Sequence, residues 1–270
     1  MSVVRRVYLL DYGWLAGDGG WFLPGWGAAT YSEKEPKRVW IEIPISGVLL
    51  DTDIGYVLFD TGIAPDAWET HTRAVMEAFP LIRFEDDNRV ENQLRKLDLK
   101  PEDIAFIIQS HLHFDHVGQT AVFKDSNIPI IVHKKELQFA LLMLWMGKEG
   151  AYQSANLDPL RGANWHIIDL PVFELAEGIK IYFSGGHTPG HVVLSVKTKN
   201  GSTYFFTGDH IHLPRELEVE SKGWLLADYD EWLTFVKQLK IWERANRAKI
   251  VICHDPDLWK KYPKIPKPLE

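Results

Sequence analysis

Three imidazoles and one carboxylate fall within six positions of the segment SHLHFDHVGQ: His111, His113, Asp115 and His116. A solvated loop has no use for so many strong donors. A core strand could not bury them unpaired without a heavy desolvation cost. Metal binding is the chemistry that this spacing suits. His111 and His113 are two residues apart, so in a locally extended segment they face the same way. Asp115 and His116 lie beyond that segment and can turn toward a second point. One loop would then feed two donor sets.

Three further segments carry donors. SGGHTPGH supplies His187 and His191, FFTGDHIH supplies Asp209, His210 and His212, and VICHD supplies His254 and Asp255. An ion such as zinc takes about four donors. His187 can complete the first set and His254 the second. Asp209, with two oxygens on a short stem, is suited to bridging. Seven protein donors and a shared water would leave two ions with open positions for reaction. His71, His133 and His166 have no such company and read as structural or surface residues.

The elements that must position these donors are legible around them. Each donor segment follows an apolar run: IAFIIQS, IKIYFSGG, TYFFTGD and KIVICHD. Buried strands running the same way would bring their ends to one rim. VRRVYLL, RVWIEIPISGVLLDT and GYVLFDTG read as early strands, the last two joined by a DTDIG hairpin turn. IPIIVH and HVVLSVKT read as two more. Helices are predicted over 67–79 and 86–98, the latter with Val90, Leu94 and Leu97 on one face and Asp86 or Asp87 as its cap. Helices are also predicted over KKELQFALLMLWMG and DYDEWLTFVKQLKIWERAN. In the last, Trp232, Phe235, Val236, Leu239 and Trp242 share a face. Strands in both halves with helices between them predict two mixed sheets packed face to face with helices outside, an α/β sandwich. The chain is expected to form one domain over residues 1–270, with the KKYPKIPKPLE tail as an extended end of little function.

Composition narrows the function. The 270 residues are 46% hydrophobic and 25% charged, ordinary for a globular protein. With 30 basic and 37 acidic side chains the formal charge is −7. The chain has no basic stripe, which argues against nucleic-acid binding. No apolar stretch approaches the ~18 residues of a membrane span. Cys253 is the only cysteine, so no internal disulfide forms and a reducing compartment is allowed. The N-terminus reads as a strand rather than a leader, which leads us to expect a cytoplasmic protein. Tryptophan is abundant, at 11 residues. Trp14, Trp21, Phe22 and Trp26 sit in a glycine-rich stretch that is hard to explain as core. They are expected to wall a pocket, a subunit contact being the alternative. In the helix over 136–147, Phe139, Leu142, Met143, Trp145 and Met146 cover more than one face. Some of these would pack on the sheet, while the rest, Phe139, Met143 and Trp145 among them, would line a pocket or a homodimer interface. The ligand body expected from these residues is small and apolar.

In their order and spacing, HLHFDH, GGHTPGH, TGDH and CHD resemble the metallo-β-lactamase superfamily over about residues 40–256. VLFDTG, residues 57–62, matches a further motif of that family. The resemblance implies an αβ/βα sandwich with the site at one edge of its sheets, and a dinuclear, usually zinc, hydrolase. Iron, manganese or cobalt would suit the same donors. It also implies that Asp60 orients a ligand from behind. The oxygen-reducing branch has Glu where this chain has His113, and one β-lactamase class has Cys where it has Asp209. SHLHFDHVGQ and the terminal HD are most like the N-acyl homoserine lactonases. Those lactonases place a Tyr three residues after the bridging Asp, whereas His212 stands here. GDHIH is similar instead to organophosphate-hydrolysing and arylesterase relatives. The reading is therefore a lactonase that uses a hydroxide shared by two ions, with Asp115, Asp209 and His212 as catalytic residues. A phosphotriesterase or arylesterase using the same site is the alternative. A catalytically silent metal-binding protein is the third reading.

Overall fold

In a computed structural model, which describes residues 2–269, the apolar runs become two stacked sheets. Among the described residues the first sheet has seven strands. They are β1 (Val4–Asp18), β2 (Trp40–Thr52), β3 (Gly55–Phe59), β4 (Leu81–Arg83), β5 (Ile104–Ile108), β6 (Ile130–His133) and β7 (Trp165–Ile168). Their spatial order is β4-β1-β2-β3-β5-β6-β7. The second sheet has β8 (Val172–Ala176), β9 (Ile179–Phe183), β10 (Val192–Lys197), β11 (Thr203–Phe206) and β12 (Lys249–Val251), in the order β12-β11-β10-β9-β8. Both sheets are mixed. β3, β5, β6 and β7 run parallel, as do β11 and β12, while the hairpins are antiparallel.

The period-two alternation of strands explains the layers. On β10, Val192, Leu194 and Val196 face the core between the sheets, where they join Leu50, Phe59, Ile108 and Tyr204. Val193 points outward and, with Phe205, packs on Trp232, Phe235, Val236 and Leu239 of the helix Tyr229–Asn246. On the outer face of the first sheet, Leu10, Ile45 and Leu58 meet Met76, Val90 and Leu94 from short helices. The order helix, sheet, sheet, helix is the sandwich expected from the sequence. None of the described helices is long and apolar enough to cross a membrane.

Several elements differ from the sequence reading. β1 runs on to Asp18, through the stretch read as a glycine-rich loop. Its register against β2 shifts between Asp11 and Trp14, with Gly13 at φ +101°. A Cβ there would also lie 2.5 Å from the Arg83 carbonyl oxygen, so the bulge needs glycine. The helix expected over 67–79 breaks into Ala67–Thr70 and Arg73–Ala78. The one expected over 86–98 shortens to Val90–Arg95 behind a single turn at Asp86–Asn88, and neither Asp86 nor Asp87 caps it. Asp87 pairs with Lys96 instead, at 2.7 Å. The short strands β4, β7 and β8 have no counterpart among the strands expected from the sequence. Nor does the tail hang free. The amides of Ile265 and Leu269 donate to Leu9 and Val7 of β1, and both side chains are buried. The tail thus covers part of a strand edge that would otherwise be open.

Candidate metal centre and its cleft

The donors sit where parallel strands end. β3 leads into Asp60, β5 into His111, and β9, β11 and β12 into His187, Asp209 and His254. His111, His113, His187 and Asp209 offer ligand atoms that all lie within 4.8 Å of one another, and so do Asp115, His116, Asp209 and His254. All seven sequence-derived donors therefore converge into two groups that could hold two metal ions. Asp209 belongs to both. Its Oδ1 lies 2.9 Å from His116 Nε2 and 2.9 Å from His254 Nε2. Its Oδ2 faces the first group, 3.3 Å from His187 Nε2 and 3.6 Å from His111 Nε2.

Four of the five rings are aimed by a partner on the far side, while His113 Nδ1 meets His187 Nε2 at 3.1 Å. His116 Nδ1 donates to Asp60 Oδ2 at 2.8 Å. His254 Nδ1 donates to the Pro44 carbonyl at 2.7 Å, and His187 Nδ1 to the Leu225 carbonyl at 3.0 Å. Ser110 Oγ donates to Asp60 Oδ2 at 2.7 Å, leaving its lone pair for His111 Nδ1–H at 2.9 Å. With Nδ1 engaged behind them, these four rings turn Nε2 inward, the nitrogen left to meet a metal. His111 Nε2 is buried without a hydrogen-bond partner, and His116 Nε2 meets only the Asp209 carboxylate. An orphaned buried polar group costs roughly 1–3 kcal/mol. A cation at either group would satisfy these nitrogens, so the donor chemistry fits a metal pair.

Electrostatics separate the two groups. Burial pushes His111 and His187 well below the usual imidazole value and His113 down to about 3; for His111 the neighbouring rings of His116 and His113 add to it. In the second group burial acts in the same direction, but carboxylates overcome it. Asp209, Asp115 and Asp60 hold His116 well above its usual value, and Asp209 and Asp115 raise His254. Burial raises Asp115. For Asp209 burial is outweighed by His116, His254 and His212, which hold it well below the usual carboxylate range. Cys253 Sγ is 3.9 Å from Asp209 Oδ1, but burial and the carboxylates of Asp209, Asp60 and Asp115 push its thiol far up. It is a poor ligand as a result.

Over the donors lies a small cleft. Its wall is Leu15, Phe22, Ile43, Phe79, Phe114 and Leu225, and no lysine or arginine is among its described lining residues. Of the aromatic residues expected to wall it, only Phe22 does. Trp21 stands behind it, its ring 5.5 Å from Phe79. Trp14, as part of β1, is packed in the inter-sheet core under the Arg83 guanidinium. Trp26 covers Gly19 and borders a separate surface groove. Phe139 and Met143 pack beneath the helix Lys134–Trp145, and Trp145 is 90% exposed on its outer side. Besides Phe22, the wall comes from Leu15 and Ile43 on strands, Phe114 on a one-turn helix, and Phe79 and Leu225 in connecting segments, none of which stands out in the sequence.

Sequence reasoning also missed the residues that hold the loops. The buried Glu136 carboxylate accepts from the Leu112 amide, the Tyr152 hydroxyl, the Thr188 hydroxyl and the Gly190 amide, and so ties the His111–His113 loop to the His187 loop. His191 Nε2 accepts the Asp209 amide at 3.1 Å, and Ser184 Oγ lies 2.7 Å from its Nδ1. His210 turns away, between the carbonyls of Gly185 and Trp232. His212 Nε2 reaches the centre, 3.2 Å from Asp209 Oδ2. His71 bonds Asn156, His133 caps the helix that follows it, and His166 is exposed, all outside the site.

Residues 16–254 match the family model of the metallo-beta-lactamase superfamily. An N-acyl homoserine lactonase from Bacillus thuringiensis is 28% identical over 220 residues, 80% of this chain and 82% of that one. The N-acyl homoserine lactonase AttM of Rhizobium radiobacter is 26% identical over 235 residues, 84% and 87% of the two chains. A solved N-acyl homoserine lactone hydrolase, with the product N-hexanoyl-L-homoserine bound at its catalytic metal center, superposes with a TM-score of 0.82. It is 25% identical and covers 99% of this chain and 100% of its own.

Proposed function

The chain belongs to the metallo-beta-lactamase superfamily, and we propose that it is a dinuclear hydrolase opening lactone rings that carry an apolar acyl tail, N-acyl homoserine lactones foremost. The observation that carries this reading is Asp209, one oxygen turned to each donor group, at the floor of an apolar cleft. His111, His113, His187 and Asp209 would hold one ion, with zinc the first choice, and Asp115, His116, Asp209 and His254 the other. When bound, such a pair supplies Lewis acidity, which makes water nucleophilic near neutral pH and polarises an ester oxygen.

The chain's own residues do the rest. Phe22, Phe79, Phe114 and Leu225 would exclude water and grip the acyl tail. A wall without cationic side chains suits a neutral substrate better than an anionic one. Asp115 and Asp209 would keep the ions apart and charge-balanced. His212 at the rim of the first group would meet the substrate oxygen and donate a hydrogen bond to it as negative charge develops there. Relatives named as lactonases over some four-fifths of the chain support this substrate class.

Hydrolysis of aryl phosphotriesters or aryl esters is the second reading. It is favoured by His212 and by a wall that would accept an aryl ring equally well. The test is turnover by purified, metal-quantified protein of acyl lactones of graded chain length, aryl esters and aryl phosphotriesters. Lactones should give the highest kcat/KM, rising with tail length. Aryl phosphotriester or aryl ester turnover without lactone opening would replace the first reading with the second.

A further inference from the structure

The four far-side partners described above all leave Nε2 to meet a metal, but His212 is built the other way round. Facing its Nδ1, at 2.7 Å, is the Lys222 ammonium. Lys222 is fully buried, and its Nζ also lies 2.8 Å from the Asp209 carbonyl, 3.2 Å from the His210 carbonyl and 3.2 Å from Glu216 Oε2. An ammonium has three hydrogens and no lone pair, so it can only donate. Donation to His212 Nδ1 places the ring hydrogen on Nε2, which points into the cleft, buried and without a hydrogen-bond partner. A competing arrangement exists, because Glu216 Oε1 also approaches Nδ1, at 3.2 Å. If Nδ1 carried the hydrogen it would donate to Glu216 and confront the ammonium. The shorter contact and the one-way chemistry of Lys222 decide between them.

We propose that Lys222 and Glu216 are positioning residues that fix His212 as a hydrogen-bond donor through Nε2, aimed at a substrate oxygen over the metal pair, and that His212 is therefore not a further metal ligand. Glu216 balances the ammonium and anchors the His212 amide at 3.1 Å. The Phe22 ring stands edge-on to the imidazole, with centroids 5.3 Å apart, and limits its rotation. The segment carrying Lys222 is itself tied down: the Gly223 amide donates to Phe22, and the Leu225 carbonyl receives His187 Nδ1–H. A single loop thus presents one ring to the metals as a bare nitrogen and another to the substrate as an N–H. The oxygen that it serves is a carbonyl, phosphoryl or departing alkoxide oxygen, which gains negative charge as reaction proceeds.

The inference rests on the ester-hydrolase reading for its consequence but not for its test. Long-range proton–nitrogen NMR correlations on zinc-loaded, ¹⁵N-histidine-labelled protein report the tautomer of each ring. His212 should carry its hydrogen on Nε2, and His187 and His254 on Nδ1. Lys222→Met should move the His212 hydrogen to Nδ1, facing Glu216, and Lys222→Arg should keep it on Nε2. The Met variant should lose about 10²-fold in kcat, with KM and bound zinc within twofold of wild type and most of the loss restored in Lys222→Arg. Hydrogen on His212 Nδ1 in the wild type, or zinc bound at its Nε2, overturns the proposal. If Lys222→Met does not fold, the wild-type spectrum alone decides. If zinc-loaded wild type hydrolyses no lactone, ester or triester, the functional reading fails while the tautomer result still stands or falls by itself.

Discussion

The two donor groups share Asp209 and differ in almost everything else. The first is three imidazoles around one carboxylate oxygen, all pushed toward the neutral form by burial. The second has two imidazoles, a carboxylate of its own in Asp115, and Asp60 bonded directly behind His116. Its rings are drawn toward the protonated form. Without a metal, then, the second group favours protons on its rings and the first disfavours them. The difference teaches that charge count, rather than spacing, sets how each group trades metal for protons. The second should hold a dication more firmly at neutral pH and give it up sooner in acid.

The most severe way to break this comparison is to remove what the groups share. Asp209→Asn takes one negative charge from both. Both ions should be lost on dialysis, and activity should fall on the order of 10³-fold, as the several kcal/mol of charge stabilisation from the metals disappears. Elemental analysis and kcat/KM report this together. One ion retained at full occupancy would show that a group can stand without the bridge.

Asp209 and the donors grouped with it were legible because chemistry restricts them. Three histidines and an aspartate in six positions have few uses, and each donor segment follows an apolar run that must be a strand. The strand ends then bring them together whatever the sequence between. Glu136, Glu216 and Lys222 carry no such mark. Each is an ordinary charged residue at a helix start or in a loop, and only the folded chain shows that it is buried and fully bonded. Trp14 misled for a related reason. A glycine beside it reads as a loop, but Gly13 is a bulge inside a continuing strand, and the bulge carries Trp14 into the core. The tail misled because proline and lysine suggest exposure, while Ile265 and Leu269 between them fill an edge.

A sharper cut leaves every ligand in place. Asp60 bonds the Ser110 amide, the Ser110 hydroxyl and His116 Nδ1, from a left-handed backbone at φ +59°. Asp60→Ala should lower affinity at the second group by about 10–100-fold, the usual cost of losing such an outer partner. The first group should lose less, because it is touched only through Ser110 and His111. Titration with a competing chelator should then show one weakened and one nearly normal ion. Equal weakening of both would mean that the loop, and not His116 alone, depends on Asp60.

Acid should separate the groups without any mutation. His116 and His254 must each shed a proton to accept a metal, and their raised pKa values make that competition begin at a higher pH. His113 is neutral down to about pH 3. As pH falls from 7, the first ion released should come from the second group, with more protons taken up per ion there than at the first. Metal counts after dialysis at stepped pH, paired with proton uptake in unbuffered solution, measure both quantities. Release of both ions at one pH would remove the electrostatic distinction.

The smallest expected effect lies on the other side of the centre. Glu136 does for the first group what Asp60 does for the second, but it holds loops rather than a ring. Its Oε1 accepts from the Leu112 amide and the Tyr152 hydroxyl, and its Oε2 from the Thr188 hydroxyl and the Gly190 amide. Burial raises its carboxyl, although these donors pull it back. Glu136→Gln keeps the shape and loses one acceptor oxygen. Whichever way the amide lies, its NH₂ must face a buried backbone N–H, which costs about 1–3 kcal/mol of stability. The strain falls on Leu112, between His111 and His113, or on Gly190, three residues past His187. Metal affinity at the first group should therefore drop by less than about tenfold, because the rings keep their own partners at Ser110 and Leu225. The second group should be unchanged, since none of its ligands bonds to Glu136. Thermal melts of metal-free and zinc-loaded protein separate the two contributions: the metal-free loss reports the unpaired N–H, and any further loss on loading reports the first group. If zinc restores stability fully, Glu136 only holds the fold, and the first group owes its geometry to its histidines alone.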